Sequence, residues 1–180
     1  MFKKTALHLA VVTALLGTSG IVLAASATSN IAVSATVSQT CSISTTTALA
    51  FGTYDPIGTN ATDSLNATGQ VSVACAKGAS SLTIGMGDGT HVVGTQRQMQ
   101  GTTATDILTY NIYQPPSNVA GVACSFPGTT AWTTTGTGLL SLINAPSKAA
   151  RLYNVCGTIP GGQDATTGAY TDSVVATLNF

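Results

Sequence analysis

The side chains best equipped for chemistry in this 180-residue chain are four cysteines, Cys41, Cys75, Cys124 and Cys156, and the histidine His91. A structural zinc site normally brings cysteines in close pairs, often with histidine, and the wide spacing here argues against one. An even count of cysteines behind an export-type leader favours disulfides. Three pairings are possible on paper. We favour Cys41–Cys75 with Cys124–Cys156, each closing a loop of about 35 residues and contributing roughly 3–4 kcal/mol on the chain-entropy model. Nucleophilic catalysis needs a base within reach of a Ser, Thr or Cys. His91 follows a glycine-rich turn and precedes Val92 and Val93, the setting of a solvated loop residue. The carboxylates Asp55, Asp63, Asp88, Asp106, Asp164 and Asp172 are scattered singly, mostly in turns, so an acid–base pair would arise only by meeting in space. We expect no enzyme activity, no catalytic residues, no metal and no cofactor. Gly85-x-Gly87-x-Gly89 lacks the Lys-Ser/Thr of a phosphate loop and is followed by no helical pattern, so it reads as a hairpin turn. Trp132 reads as a core residue in preference to a sugar-stacking platform.

The elements that must position these groups begin after a processing segment. Lys3 and Lys4, the apolar stretch Ala6 to Leu16 and the small-residue site Val22-Leu23-Ala24 describe a signal peptide over residues 1–24, with Ala25-Ser26-Ala27 as a second cleavage site. No other apolar run approaches the roughly 20 residues of a membrane helix. The mature chain is expected to be exported, soluble and one domain of about 155 residues. Without Lys3 and Lys4 it keeps four cations, Lys77, Arg97, Lys148 and Arg151, against six aspartates, a net charge of −2. Four scattered cations cannot supply the clustered charge that phosphate backbones require, which excludes nucleic acid as a partner.

Short apolar segments separated by turn signals predict strands at Ile31 to Val37, Cys41 to Ile43, Ala48 to Phe51, Val71 to Cys75 and Ser81 to Met86. Further strands are predicted at Ile107 to Tyr113, Leu139 to Ile143, Arg151 to Cys156 and Tyr170 to Phe180. Gly58 to Gly69 reads as a surface loop, and no stretch holds a 3.6-residue apolar period over three turns. Many short strands with punctuated turns predict an all-β sandwich. At the tail, Val174, Ala176, Leu178 and Phe180 share one face at period two, a strand expected to lack a following partner within its own chain. Near the front, Ile31, Val33, Ala35 and Val37 alternate in the same way.

Several segments together resemble the spore coat protein U domain family, to which subunits of archaic chaperone–usher pili also belong. They are Val37-Ser38-Gln39-Thr40-Cys41-Ser42-Ile43, Leu49-Ala50-Phe51-Gly52-Thr53-Tyr54, Val71-Ser72-Val73-Ala74-Cys75, Arg97-Gln98-Met99 and Leu108-Thr109-Tyr110-Asn111-Ile112-Tyr113. Cys156-Gly157-Thr158-Ile159-Pro160-Gly161-Gly162-Gln163 and Gly168-Ala169-Tyr170-Thr171-Asp172 complete the pattern, which spans nearly the whole mature chain. The resemblance implies an incomplete immunoglobulin-like β-sandwich, missing its last strand, with an N-terminal donor-strand extension. It also implies the Cys41–Cys75 disulfide, whereas Cys124 and Cys156 are less typical of the family. It divides the chain into a leader at 1–24, the extension at 25–40 and the pilin domain at 41–180.

The expected function is a structural pilus subunit at the cell surface that polymerises head to tail with other copies or related pilins. A periplasmic chaperone and an outer-membrane usher are the further partners, and adhesion and biofilm growth the roles. Ile31, Val33, Ala35 and Val37 would be the donor strand, and Val174, Ala176, Leu178 and Phe180 the acceptor and chaperone-docking strand. The alternatives are a secreted spore-coat or matrix protein, and a tip adhesin acting as a binding module.

Overall fold

The computed structural model describes residues 24–180, so the expected leader lies outside the described residues apart from Ala24. Eight strands follow in order: β1 (Cys41–Thr47), β2 (Leu65–Cys75), β3 (Thr83–Met86), β4 (Arg97–Gln100), β5 (Ile107–Tyr113), β6 (Leu140–Ser141), β7 (Arg151–Ile159) and β8 (Ala176–Asn179). Two short 3-10 turns, Thr59–Ala61 and Gly136–Gly138, are the helical elements among them. The strands make a five-stranded sheet in the order β1-β2-β7-β5-β4 and a three-stranded sheet in the order β6-β3-β8. Every ladder is antiparallel. Val37–Phe180 forms one compact unit, divided from Met1–Thr36.

Alternation decides which way each strand faces. Val71, Val73 and Cys75 of β2, Tyr153 and Val155 of β7, and Leu108, Tyr110 and Ile112 of β5 are buried, while the residues between them face outward. Ile84 and Met86 of β3 and Leu140 of β6 meet them from the smaller sheet in one core. Trp132 is fully buried. Its indole N–H donates to the Ile84 carbonyl at 2.8 Å, which satisfies the one polar atom that its burial would otherwise strand.

The disulfides are Cys41–Cys75, across the first rung of β1 and β2, and Cys124–Cys156, which ties the segment after β5 to β7. Several expectations need correction. Residues 24–40 carry no regular secondary structure, so the strand expected at Ile31 to Val37 is not formed in the single chain. Alternation tells which face a strand would bury, and it supplies no ladder. Ala48 to Phe51 is likewise irregular, although Leu49 and Phe51 pack on the core. The stretch expected as the loop Gly58 to Gly69 contains the buried Asn60 and, from Leu65 onward, the first half of β2. The Gly85–Gly89 stretch is no hairpin, because β3 and β4 belong to different sheets. The expected strand Tyr170 to Phe180 is confined to Ala176–Asn179, preceded by an isolated bridge from Gln100 to Thr171.

Candidate functional site

β1 ends the larger sheet and β8 ends the smaller one, so each has a free edge. The two strands lie side by side across the boundary between the sheets without exchanging ladder bonds. Between and beneath them runs a groove. Its first compartment, about 320 Å³, reaches from Thr45 and Thr47 of β1 to Val174 and Ala176, with Val71, Tyr110, Ile112 and Val155 among its lining. A second compartment of about 580 Å³ continues past Tyr54, Leu108 and Ile159. Leu49, Phe51, Met99 and Tyr170 line both.

The lining is shaped by two glycines on the inner face of the large sheet. A Cβ on Gly157 would stand 2.7 Å from both δ carbons of Leu49 and 2.8 Å from the Phe51 ring, and one on Gly69 would stand 3.1 Å from the Leu49 nitrogen. Glycine at these places lets Leu49 and Phe51 lie on the sheet, and Phe51 then packs edge-on against Tyr110 with ring centroids 6.1 Å apart. A second bracket holds the far compartment. Tyr54 donates its hydroxyl to the carbonyls of Asn60 and Pro160 and accepts from the Gln163 N–H, while the Gln163 amide bonds both the N–H and the carbonyl of Thr109.

The acceptor residues named from sequence divide. Val174, Ala176 and Leu178 are half-buried and pack on the core, whereas Phe180 is 57% exposed. Ile31, Val33 and Val37 are 86–91% exposed, and Ala35 is exposed as well.

Sequence reasoning missed the polar fastening of this tail. The Asp172 side chain is 2% exposed and accepts from the Thr90 N–H at 2.8 Å, the Thr90 hydroxyl at 2.6 Å and the Tyr110 hydroxyl at 2.7 Å. His91 Nδ1 lies 3.2 Å from the same carboxylate. Burial pushes the Asp172 carboxyl up, but the hydrogen bonds from Thr90, Tyr110 and Ser173 outweigh it and hold the group below the ordinary carboxylate range. The Tyr110 phenol is pushed well above its ordinary value, first by burial and then by Asp172. Gly89, at φ +90°, has no room for a Cβ, which would run into the Asp172 carboxylate. Thr90, His91 and Asp172 thus gather a hydroxyl, an imidazole and a carboxylate, but the hydroxyl bonds the carboxylate directly. His91 Nδ1 also lies 3.1 Å from the Thr90 hydroxyl, so one ring nitrogen faces both oxygens, and the arrangement fastens one loop to another.

Arg97 is the second buried polar anchor, 6% exposed, donating to the carbonyls of Met86, Gly87 and Trp132 at 2.7–3.0 Å. Burial pulls its guanidinium below the ordinary value, with Tyr110, Asp88 and Asp172 opposing. Among the described residues, no group of three or more His, Cys, Asp or Glu is placed to hold a metal ion. No helix there is long and apolar enough to cross a membrane.

The chain is thus an all-β sandwich with a groove between two free strand edges. The chain belongs to the Spore Coat Protein U domain family, whose model matches residues 27–177. That match starts within the irregular stretch ahead of β1. The chain is 33% identical over 140 residues to Protein U of Myxococcus xanthus, covering 73% of this chain and 71% of that protein. Among solved structures it is similar to a chain in the CsuC-CsuE chaperone–tip adhesion subunit pre-assembly complex from the archaic chaperone-usher Csu pili of Acinetobacter baumannii. The TM-score is 0.51 at 19% identity, over 81% of this chain and 40% of that one. At that identity the likeness speaks for the all-β fold alone.

Proposed function

We propose that this protein is a structural subunit of a surface pilus, and that the groove between β1 and β8 accepts the segment Ile31–Val37 of another copy as an added strand. The observation that carries the reading is the pair of free edges flanking an apolar groove, in a chain that also exposes an alternating apolar segment. Strand addition pairs the backbone groups of both edges and fills side-chain pockets at alternate positions. Burying Ile31, Val33 and Val37 contributes roughly 5–8 kcal/mol at about 1.5–3 kcal/mol each, with Ala35 adding little. Each subunit donates with one surface and accepts with another, so the contact does not close on itself and generates a fibre. A periplasmic chaperone covers the groove until an outer-membrane usher exchanges it for the next subunit, and the fibre serves adhesion and biofilm growth at the cell surface.

Size-exclusion chromatography and electron microscopy of the exported protein test this reading. The wild type is expected to yield fibres, and Ile31→Asp with Val33→Asp to yield exported, folded subunits that do not extend. A wild type that stays monomeric at every concentration, with no chaperone bound, contradicts the proposal, as do normal fibres from the double variant. The match to the family of Protein U supports a second reading, a secreted coat or matrix layer built by the same strand addition. Sheets or amorphous layers in place of fibres under the microscope would favour it.

A further inference from the structure

The segment proposed as donor lies next to the groove in sequence. Only Ser38, Gln39 and Thr40 separate Val37 from Cys41, the first residue of β1. For a subunit to fill its own groove, residues 31–37 would have to lie alongside β1, and the chain would have to reverse within those three residues. Three features oppose that reversal. The Cys41–Cys75 disulfide fixes the start of β1 to β2. The ladder continues one residue further out, with the Ala76 N–H donating to the Thr40 carbonyl at 2.9 Å. Beyond it, the Gln39 side chain behaves like a short piece of strand. Its amide N–H donates to the Ser80 carbonyl at 3.2 Å, and its amide oxygen accepts from the Ser80 N–H at 3.3 Å. Ser80 is itself held on a pinned turn, where Ala79 donates to Ala76 and Ala145 donates to Ala79. Composition adds a fourth obstacle. Tight two-residue hairpins need positive φ, supplied by Gly, Asn or Asp, and Ser38-Gln39-Thr40 contains none of these.

We propose that Gln39 and Thr40 form a gate that keeps the chain running straight out of β1, so that a subunit cannot take up its own segment 31–37 and must take another's. The gate regulates the proposed groove and rests on that reading of it. Its chemistry is backbone mimicry: the Gln39 carboxamide offers one donor and one acceptor in the spacing of a peptide unit, as a neighbouring strand would.

The test is the full-length exported protein carrying Gln39→Asn with Thr40→Gly, which places an Asn-Gly hairpin signal where the gate stands. The expected result is a shift of the size-exclusion profile from polymer to monomer. That monomer should also refuse a synthetic peptide of residues 27–39, which the wild type takes up. A double variant that polymerises and takes up peptide like the wild type overturns the gate. A wild type that ignores the peptide overturns the strand-addition reading as well, so the two failures are distinct. Should the double variant fail to form its disulfides, Gln39→Ala decides, because it removes the clamp and leaves the backbone as it is. A raised monomer fraction supports the gate, and an unchanged one overturns it.

Discussion

The two long sides of this sandwich are finished differently. On the side of β5 and β3, the segment around Trp132 runs between the sheets and bonds to both. Thr130 and Trp132 pair with Gln114 and Ile112 at the β5 end, while the Thr133 carbonyl accepts from Met86 and the indole donates to Ile84. Arg97 adds bonds to the carbonyls of Met86, Gly87 and Trp132. On the side of β1 and β8, Leu49 and Phe51 lie on the large sheet from an irregular segment that joins neither sheet's ladder, and the two edges flank the groove. The closed side shows what a seam in this fold requires: a short extended piece of chain with one large side chain, able to bond to both sheets. In the proposed assembly, residues 31–37 of a neighbour perform that task on the open side.

The comparison can be broken first at its closed side. Trp132→Ala removes the side chain that spans both sheets and strands the Ile84 carbonyl, and should cost about 3–5 kcal/mol in a denaturant titration. A loss below about 1 kcal/mol would mean that the closed side does not depend on its plug.

Asp172 gives the next effect, because it fastens the tail that leads into β8. Asp172→Asn should cost about 1–3 kcal/mol at neutral pH, the scale for hydrogen bonds to a buried charge. Its folded pKa is depressed, so the carboxylate stabilises the fold above its unfolded value of about 3.9, and that contribution is lost as pH falls through the folded value. The gap between wild type and variant should therefore narrow on acidification, in urea melts run down through that range. A gap that widens in acid would contradict the assignment. The smallest effect belongs to Ile31→Asp with Val33→Asp. Both residues are exposed, so unfolding of the isolated subunit should change by less than about 0.5 kcal/mol even as chain growth stops.

How far the sequence reveals this depends on where the information sits. β5 is legible to the residue, because Leu108, Tyr110 and Ile112 alternate without interruption. β4 is invisible, because its inward residues include Arg97, whose charge is accommodated in the interior by carbonyls contributed by Met86, Gly87 and Trp132. Asp172 looks like any turn aspartate, since its partners Tyr110 and Thr90 lie 62 and 82 positions away. The period-two tail places Val174, Ala176 and Leu178 on a half-buried face, while Phe180, expected on the same face, is 57% exposed. That β8 faces β1 across a groove is a property of sheet order, which short-range patterns do not carry.

Amide hydrogen exchange on assembled protein, compared with the dissociated subunit, tests the central claim most directly. The account predicts slowed exchange on assembly in three places together: Cys41–Thr47, Ala176–Asn179 and the segment Ile31–Val37. Assembly that leaves both strand edges exchanging as fast as in the free subunit would contradict it.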